Sequence, residues 1–326
     1  MNTPDPFTLA MRQALTEARR WIGATSPNPP VGAAALDGEG TILAVAAHQR
    51  AGQPHAEPSV LAVCQEKGCA ERIHTLVVTL EPCAHTGRTP PCTETILRAK
   101  IPHVVVGTTD PNPRVCGQGI ARLREAGVSV TVGVEEEACR WLIHAFAHPH
   151  VTGKPWITLK RAFTPNGSMI PPKGQTTFTS RDSLRLAHRL RKKVDAIITG
   201  SGTILADDPS FTVRHVPDHP DKKRFLCLLD RRHRIPDSYL DAARQRGFDL
   251  LLPDSIDEAL AMLTARGVQD ILVEAGPSLS DAFLEKANLI FDITQGNPDS
   301  YTFKLSLDPA CGLSEASFSL DTILPP

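Results

Sequence analysis

The sequence predicts an α/β protein with two domains of similar length. Its 326 residues are enough for two separate cores. Apolar runs of strand length alternate with segments of helical apolar spacing, first up to about residue 146 and again from residue 156. Between the halves, His148-Pro149-His150 and Gly153-Lys154-Pro155 interrupt the pattern. We therefore expect one domain at residues 1–150 and another at 151–326.

The first half predicts a helix and a hairpin, followed by alternating strands and helices. Apolar residues from Phe7 to Ile22 recur at helical spacing, and Asp37-Gly38-Glu39-Gly40 separates two apolar strands. Thr89 followed by two prolines predicts a helix start that places Cys92 in a first turn. The other expected elements are helices at 55–67, 120–126 and 135–146 and strands at 31–36, 42–47, 76–80, 104–107 and 128–132.

The second half repeats the alternation of strands and helices. Buried strands are predicted where short apolar runs are bounded by polar or glycine-containing segments. The expected elements are strands at 156–162, 194–199, 225–229 and 270–274 and helices at 180–192, 256–266 and 278–286.

The most specific pattern in the chain is a set of metal-binding and proton-carrying side chains in the first half. Pro54-His55-Ala56-Glu57 is followed by Leu80-Glu81-Pro82-Cys83 and then by Cys92. One imidazole and two thiols suit zinc, and three protein ligands leave the fourth tetrahedral position open for water. Glu57, two residues past the histidine, is then free to carry protons. The pattern predicts a zinc-dependent hydrolytic deaminase acting on a heterocyclic amine.

A structural zinc site is the alternative interpretation of the same residues. A closed site needs a fourth protein ligand, and His85 is the close candidate. In the catalytic interpretation, zinc lowers the pKa of its water to about 7, and Glu57 transfers the proton to the ring nitrogen and then to the leaving amine.

Composition and charge exclude several other classes of function. A formal net charge of −1 and 5% aromatic residues do not suit a nucleic-acid groove. No apolar run approaches the ~18 residues of a membrane span, and the first residues lack the pattern of a signal peptide. We expect a soluble cytoplasmic protein with no nucleic-acid or membrane partner, in which the eight cysteines are free thiols or metal ligands.

Longer motifs in both halves resemble one family. The run from Thr79 to Cys92, TLEPCAHTGRTPPC, is similar to that of the bifunctional deaminase-reductases of riboflavin biosynthesis, as are the runs SPNPPVG at 26–32 and DPNP at 110–113. In the second half, GSGTILADDP at 200–209 and VEAGP at 273–277 match the same family. The resemblance covers about residues 7–290 and includes both domains in the family's order.

The resemblance implies both a fold and a function. It implies a cytidine-deaminase-like α/β/α sandwich followed by a dihydrofolate-reductase-like α/β domain. The implied reactions are deamination of 2,5-diamino-6-(5-phosphoribosylamino)pyrimidin-4-one and NADPH-dependent reduction of its ribosyl group to ribityl. The implied cofactors are Zn²⁺ and NADPH, the implied partner is the phosphoribosylated pyrimidine, and a homo-oligomer, a dimer or a tetramer, is expected.

The resemblance also implies roles for individual residues, taken motif by motif. Zinc would be bound by His55, Cys83 and Cys92, with Glu57 as the proton carrier. The residues expected to line the pyrimidine pocket are Asn28, His48, His85, Arg88, Asp110 and Asn112. Those expected to contact NADPH are Ala162, Thr203, Asp207 and Gly276. Those expected to contact the reductase substrate are Thr176, Arg191, Phe211, Arg214 and Glu274.

The chain departs from the family pattern mainly in its last part. The run at 176–179 is one residue shorter than the family's, and the tail from Phe291 onward lacks the family's later strand motif. We expect a missing or altered edge strand in the second core. A deaminase with a degenerate, noncatalytic second domain is therefore the alternative to a bifunctional enzyme.

Overall fold

The chain forms two compact units. The computed structural model describes residues 5–85, 90–171 and 177–326. The first unit comprises Met1–Thr152 together with Pro309–Pro326, and the second comprises Gly153–Asp308. The sequence prediction assigned everything after residue 150 to the second domain, whereas residues 309–326 pack with the first unit. The assignment of one activity to each range remains a proposal.

The first unit contains a mixed sheet. Its strands are β1 (Gly32–Leu36), β2 (Ile42–Ala47), β3 (Thr75–Leu80), β4 (His103–Thr108) and β5 (Ser129–Val132). Within the described residues their order is β2-β1-β3-β4-β5. The predicted hairpin of β1 and β2 is present, and β3 pairs antiparallel with β1 but parallel with β4. The Asp37 carboxylate closes the hairpin turn by accepting the amides of Glu39 and Thr41.

Helices cover both faces of this sheet. Neighbouring residues of a strand point to opposite faces, and Val77 and Val78 of β3 accordingly belong to different apolar clusters. Val77 packs with the cluster that contains Met11, whereas Val78 packs with the one that contains Val60. The helices are α1 (Pro6–Arg19), α2 (Ala56–Glu66), α3 (Cys92–Arg98), α4 (Gln118–Glu125), α5 (Glu136–Leu142) and α6 (His144–Thr152). The arrangement is the expected α/β/α sandwich.

One predicted helix is two helices in the structure. The expected helix at 135–146 divides into α5 and α6, and α6 continues through Pro149 to Thr152, so the expected interruption is present only at residues 153–155. A proline inside a helix costs about 3 kcal/mol. One side of α6 is buried and carries His144, Ala147 and His148.

The second unit contains a largely parallel sheet. Its strands are β6 (Trp156–Phe163), β7 (Ala196–Gly200), β8 (Arg224–Leu229), β9 (Phe248–Leu251), β10 (Asp270–Glu274), β11 (Leu289–Thr294) and β12 (Ser300–Leu305). Its helices are α7 (Arg181–Lys193), α8 (Ser201–Asp207), α9 (Asp237–Gln245), α10 (Ile256–Ala265) and α11 (Pro277–Ala282). Within the described residues the strand order is β12-β11-β6-β10-β7-β8-β9, and β12 alone among these pairs antiparallel.

The expectation of a missing edge strand is wrong. The tail forms β11, which pairs in parallel with β6, and β12, which lies at the edge. Phe291 of β11 is fully buried and stacks on Phe303 of β12 with ring centroids 5.0 Å apart. The buried apolar run at residues 289–291 and the aromatic cross-strand pairs form these strands without the family's sequence motif. Helices α8 and α9 and strand β9 were also not predicted.

The last residues return to the first unit through Trp141 of α5. Its indole Nε1 donates to the Ser314 carbonyl oxygen at 3.2 Å and to Ser317 Oγ at 3.1 Å. Phe318 packs edge-on against the same ring, and the short helix α12 (Leu320–Ile323) follows. In the described ranges, every helix is too short or too polar to cross a lipid bilayer.

Candidate active sites

Three chain segments bring the predicted zinc ligands together in the first unit. His55 is the extended residue that precedes α2, Cys83 follows β3, and Cys92 is the first residue of α3. The Nδ1 atom of His55 lies 3.3 Å from Cys92 Sγ and 3.8 Å from Cys83 Sγ. All three ligand atoms lie within 4.8 Å of one another. The structure thus confirms that these side chains form one cluster.

The cluster has the chemistry and geometry of a zinc site. Zn²⁺ prefers nitrogen and thiolate ligands in a tetrahedral arrangement. Hydrogen bonds with Cys92 and His55 outweigh burial and lower the pKa of the Cys83 thiol to about 4. The hydrogen bond to Cys83, together with burial, raises the pKa of Cys92. His85 is exposed and is not a member of the cluster among the described residues, so it does not supply the fourth ligand that a structural site requires.

Glu57 lies beside the cluster without belonging to it. It is in the first turn of α2, its side chain contacts Cys92, and the residue is 3% exposed. Burial raises the pKa of this carboxyl group. A carboxyl group that is held next to the metal ligands and readily accepts a proton is suited to proton transfer.

Asn28 and His48 form one wall next to the zinc ligands. The His48 ring packs edge-on against His55 with centroids 5.3 Å apart. His48 Nδ1 lies 2.9 Å from the Pro54 carbonyl oxygen, which can only accept, so this nitrogen donates. The opposite nitrogen, Nε2, is then free to accept from the Asn28 amide at 3.2 Å. Burial lowers the pKa of His48, which favours this neutral form.

Asp110 and Asn112 lie on the segment that follows β4. The Asp110 carboxylate accepts the Asn112 amide at 2.8 Å and interacts electrostatically with His150 and His85. Burial raises the pKa of Asp110. No hydrogen bond joins these residues to Asn28 or His48 among the described residues. The predicted Arg88 lies outside the described residues.

Sequence reasoning missed Glu81, which holds the segment after β4 in place. This buried carboxylate lies between β3 and Cys83, and it accepts backbone amides from Asp110 at 3.1 Å, Gly117 at 2.9 Å, Gly119 at 2.8 Å and Ile120 at 3.3 Å. A Cβ on Gly119 would collide with the Pro82 carbonyl oxygen. Glu81 belongs to the motif Leu80-Glu81-Pro82-Cys83, but no local pattern indicates that its partners lie so far along the chain.

The second unit has a cavity at the carboxyl ends of its parallel strands. In such sheets, ligands bind where the carboxyl ends of neighbouring strands meet. The cavity has a volume of about 480 Å³. The predicted residues that line it are Ala162, Arg191, Thr203, Asp207, Phe211, Arg214, Glu274 and Gly276. Sequence reasoning therefore identified residues of one site, while the predicted Thr176 lies outside the described residues.

Two helix starts meet at this cavity. Gly276 precedes α11, and its amide donates to the Thr203 hydroxyl of α8 at 2.9 Å. The glycine-rich run at 200–203 contains the start of α8, which begins at Ser201. Free amides at the start of a helix suit a phosphate group.

Arg191 and Glu274 form a buried ion pair on the cavity wall. The Arg191 guanidinium donates from Nε and Nη2 to the two carboxylate oxygens at 2.6 and 2.8 Å. Lys160 Nζ lies 3.8 Å from the same carboxylate. Burial alone would raise the pKa of Glu274, but the cations outweigh it and lower the pKa to about 2. The sequence predicted that both residues contact substrate, and the structure adds that they contact each other.

Comparisons with known proteins agree with both sites. Residues 7–108 match the cytidine and deoxycytidylate deaminase zinc-binding region, and residues 155–290 match the RibD C-terminal domain. Riboflavin biosynthesis protein RibD of Aquifex aeolicus is 38% identical over 295 residues, which cover 90% of this chain and 81% of that protein. RibD of Escherichia coli is 34% identical over 308 residues, which cover 84% of this chain and 83% of that protein.

A solved structure extends the similarity to three dimensions. It is the diaminohydroxyphosphoribosylaminopyrimidine deaminase/5-amino-6-(5-phosphoribosylamino)uracil reductase of Thermotoga maritima. The comparison of the two structures gives a TM-score of 0.78 at 30% sequence identity, and it covers 96% of this chain and 93% of the other.

Fold and sites define a zinc-dependent deaminase joined to an NADPH-dependent reductase. The chain belongs to the RibD family of riboflavin biosynthesis proteins. It is therefore a bifunctional deaminase and reductase of that biosynthesis, and its cofactors are zinc and NADPH. A noncatalytic second domain is not favoured, since the second half matches the family's reductase domain.

Replacing Glu81 should displace the segment of Asp110 and Asn112, which we predict to line the pyrimidine pocket, without removing zinc. Glu81→Gln places an amide NH₂ against backbone N–H donors, and each buried donor left unpaired costs about 1–3 kcal/mol. We expect the deaminase KM to rise about tenfold or more, while the zinc content stays at the wild-type level. Glu94→Gln is the matched control because Glu94 forms an exposed ion pair with Arg122. A wild-type KM for Glu81→Gln would contradict the role of this carboxylate.

The Glu274 ion pair should make the stability of the second unit depend on pH. A carboxylate whose pKa falls from 4.5 to about 2 on folding stabilises the folded chain above pH 4.5. That contribution is lost as the pH falls through the folded value. We expect the difference in Tm between wild type and Glu274→Gln to shrink between about pH 6 and about pH 3. Calorimetry measures this difference in Tm. The unfolding transition of the second unit is the one whose Tm rises when NADPH binds to the wild-type chain. A difference independent of pH would contradict the assignment.

Proposed function

We propose that the first unit deaminates 2,5-diamino-6-(5-phosphoribosylamino)pyrimidin-4-one and that the second unit reduces the ribosyl group of the product to ribityl. The observation that carries the proposal is the cluster of His55, Cys83 and Cys92 beside the buried Glu57, in one chain with the reductase cavity. The similarity to the Thermotoga maritima protein, which is named as such a deaminase and reductase, supports the choice of substrates.

The deaminase step requires a nucleophile and a proton carrier at one place. When zinc is bound by His55, Cys83 and Cys92, it supplies a water whose pKa is lowered to about 7. Glu57 would carry one proton of that water to the ring nitrogen and then the remaining proton, from the added hydroxyl group, to the leaving amino group. Water replaces the amino group, ammonia leaves, and a ring carbonyl remains.

The neighbouring polar side chains orient the pyrimidine. Because the Asn28 amide nitrogen donates to His48, its Oδ1 atom remains an acceptor for a ring or amino N–H of the substrate. We assign His85, Arg88, Asp110 and Asn112 to the remainder of the pocket. The four amide hydrogen bonds of Glu81 support a fixed position for Asp110 and Asn112.

The reductase step needs no side-chain nucleophile because NADPH supplies the hydride. We assign Ala162, Thr203, Asp207 and Gly276 to NADPH, in keeping with the two helix starts at this end of the cavity. We assign Thr176, Arg191, Phe211, Arg214 and Glu274 to the substrate. A guanidinium forms strong paired hydrogen bonds with phosphate, and Arg191 is bound to Glu274, so we assign the substrate phosphate to Arg214.

We also propose a cytoplasmic location and a homo-oligomer, either a dimer or a tetramer. The formal net charge is −1, so the chain has no excess of basic residues. This balance of charge supports small-molecule substrates over a nucleic acid or a membrane surface.

Separate assays of ammonia release and NADPH oxidation test the proposed function. We expect Glu57→Gln to retain zinc, because Glu57 is not a ligand, but to lose ammonia release by about two orders of magnitude or more. The same variant should oxidise NADPH normally when given the deaminated product. Arg214→Ala should show the opposite pattern, with normal ammonia release and impaired NADPH oxidation. Substantial ammonia release by Glu57→Gln would contradict the assignment of this carboxyl group.

A further inference from the structure

A strained backbone segment forms part of the reductase cavity. Residues 208–214 follow α8, and two of them, Asp208 and Phe211, adopt left-handed conformations with φ of 41° and 54°. These conformations are unfavourable for residues other than glycine and persist where neighbouring groups hold the chain in place. Phe211 and Arg214 of this segment both line the cavity. The contacts that hold residues 208–214 in place therefore also set the shape of the cavity.

One face of α7 holds this segment at two points. His188 and Arg191 are three residues apart and therefore lie on the same side of the helix. Arg191 Nη1 donates to the Thr212 carbonyl oxygen at 3.4 Å, and its guanidinium carbon lies 5.6 Å from the centre of the Phe211 ring. Arg191 is itself fixed by Glu274. These contacts of Arg191 hold the segment at Phe211 and Thr212, but they do not involve Arg214.

His188 makes the contact to Arg214. The residue is 2% exposed, and its Nδ1 atom accepts the backbone amide of Arg214 at 2.9 Å. A nitrogen that accepts an N–H carries no proton, so the neutral ring has its proton on Nε2. Burial, Arg191 and the neighbouring His215 ring lower the pKa of His188 to about 4, which is consistent with this form.

We propose that His188, as the neutral Nε2–H tautomer, is a positioning residue of the reductase that fixes Arg214 for the substrate phosphate. The inference rests on the proposed function, which assigns that phosphate to Arg214. Without the imidazole acceptor, the part-buried Arg214 amide loses its side-chain partner, and the segment loses its contact with α7 at this residue. The Arg214 side chain would then leave the position that its backbone now gives it.

Two substitutions at His188 separate loss of the acceptor from loss of the ring. Asparagine places a carbonyl oxygen close to the position of Nδ1 and can accept the Arg214 amide, whereas leucine cannot. The assay is NADPH oxidation with the deaminated pyrimidine nucleotide as substrate. Equilibrium NADPH binding and the ammonia-release rate of the same chain are the controls for folding.

We expect His188→Leu to raise the KM for the nucleotide by about tenfold or more and His188→Asn to restore it to within about threefold of wild type. NADPH binding and ammonia release should be unchanged in both variants. A wild-type KM for His188→Leu would overturn the inference, as would equal impairment of both variants together with weaker NADPH binding. Arg214→Ala tests the underlying assignment separately: a wild-type KM for this variant would remove Arg214 from the phosphate site, whatever the His188 variants do.

Discussion

The convergence of one imidazole and two thiols is the constraint on which the first unit depends. The three ligands come from separate chain segments, and they meet because α2 and α3 pack on the same face of the sheet that contains β3. Both ligand-bearing helices begin at the cluster, where the positive end of the helix dipole favours an anionic thiolate.

Charge in the second unit is divided between the two ends of its sheet. At the amino ends of the strands, Lys193 pairs with Asp270 at 2.9 Å, and Asp195 accepts the backbone amides of Gln269 and Asp270. These groups bind one another and join the starts of the strands. At the carboxyl ends, Arg191 and Glu274 also pair, but they do so on the wall of the cavity. The same kind of buried ion pair is thus structural at one end and part of the site at the other.

The sequence was sufficient to predict the zinc ligands, because the types of donor side chain and their order along the chain are enough to indicate a zinc site. It was also sufficient for most strands, since apolar periodicity is local. Long-range partners were not predictable: Glu81 binds amides near residue 119, and His188 binds the amide of Arg214. The prediction failed for β11 because it relied on a family motif, whereas the strand forms from a buried apolar run and the Phe291–Phe303 stack.

X-ray absorption at the zinc edge tests the central claim most directly. On purified chain that releases ammonia, we predict one zinc per chain with two sulfur ligands at about 2.3 Å, one imidazole nitrogen and one further light atom from solvent. A third sulfur or a second imidazole in the coordination shell would close the site and contradict the account. So would full deaminase activity in chain that contains no zinc.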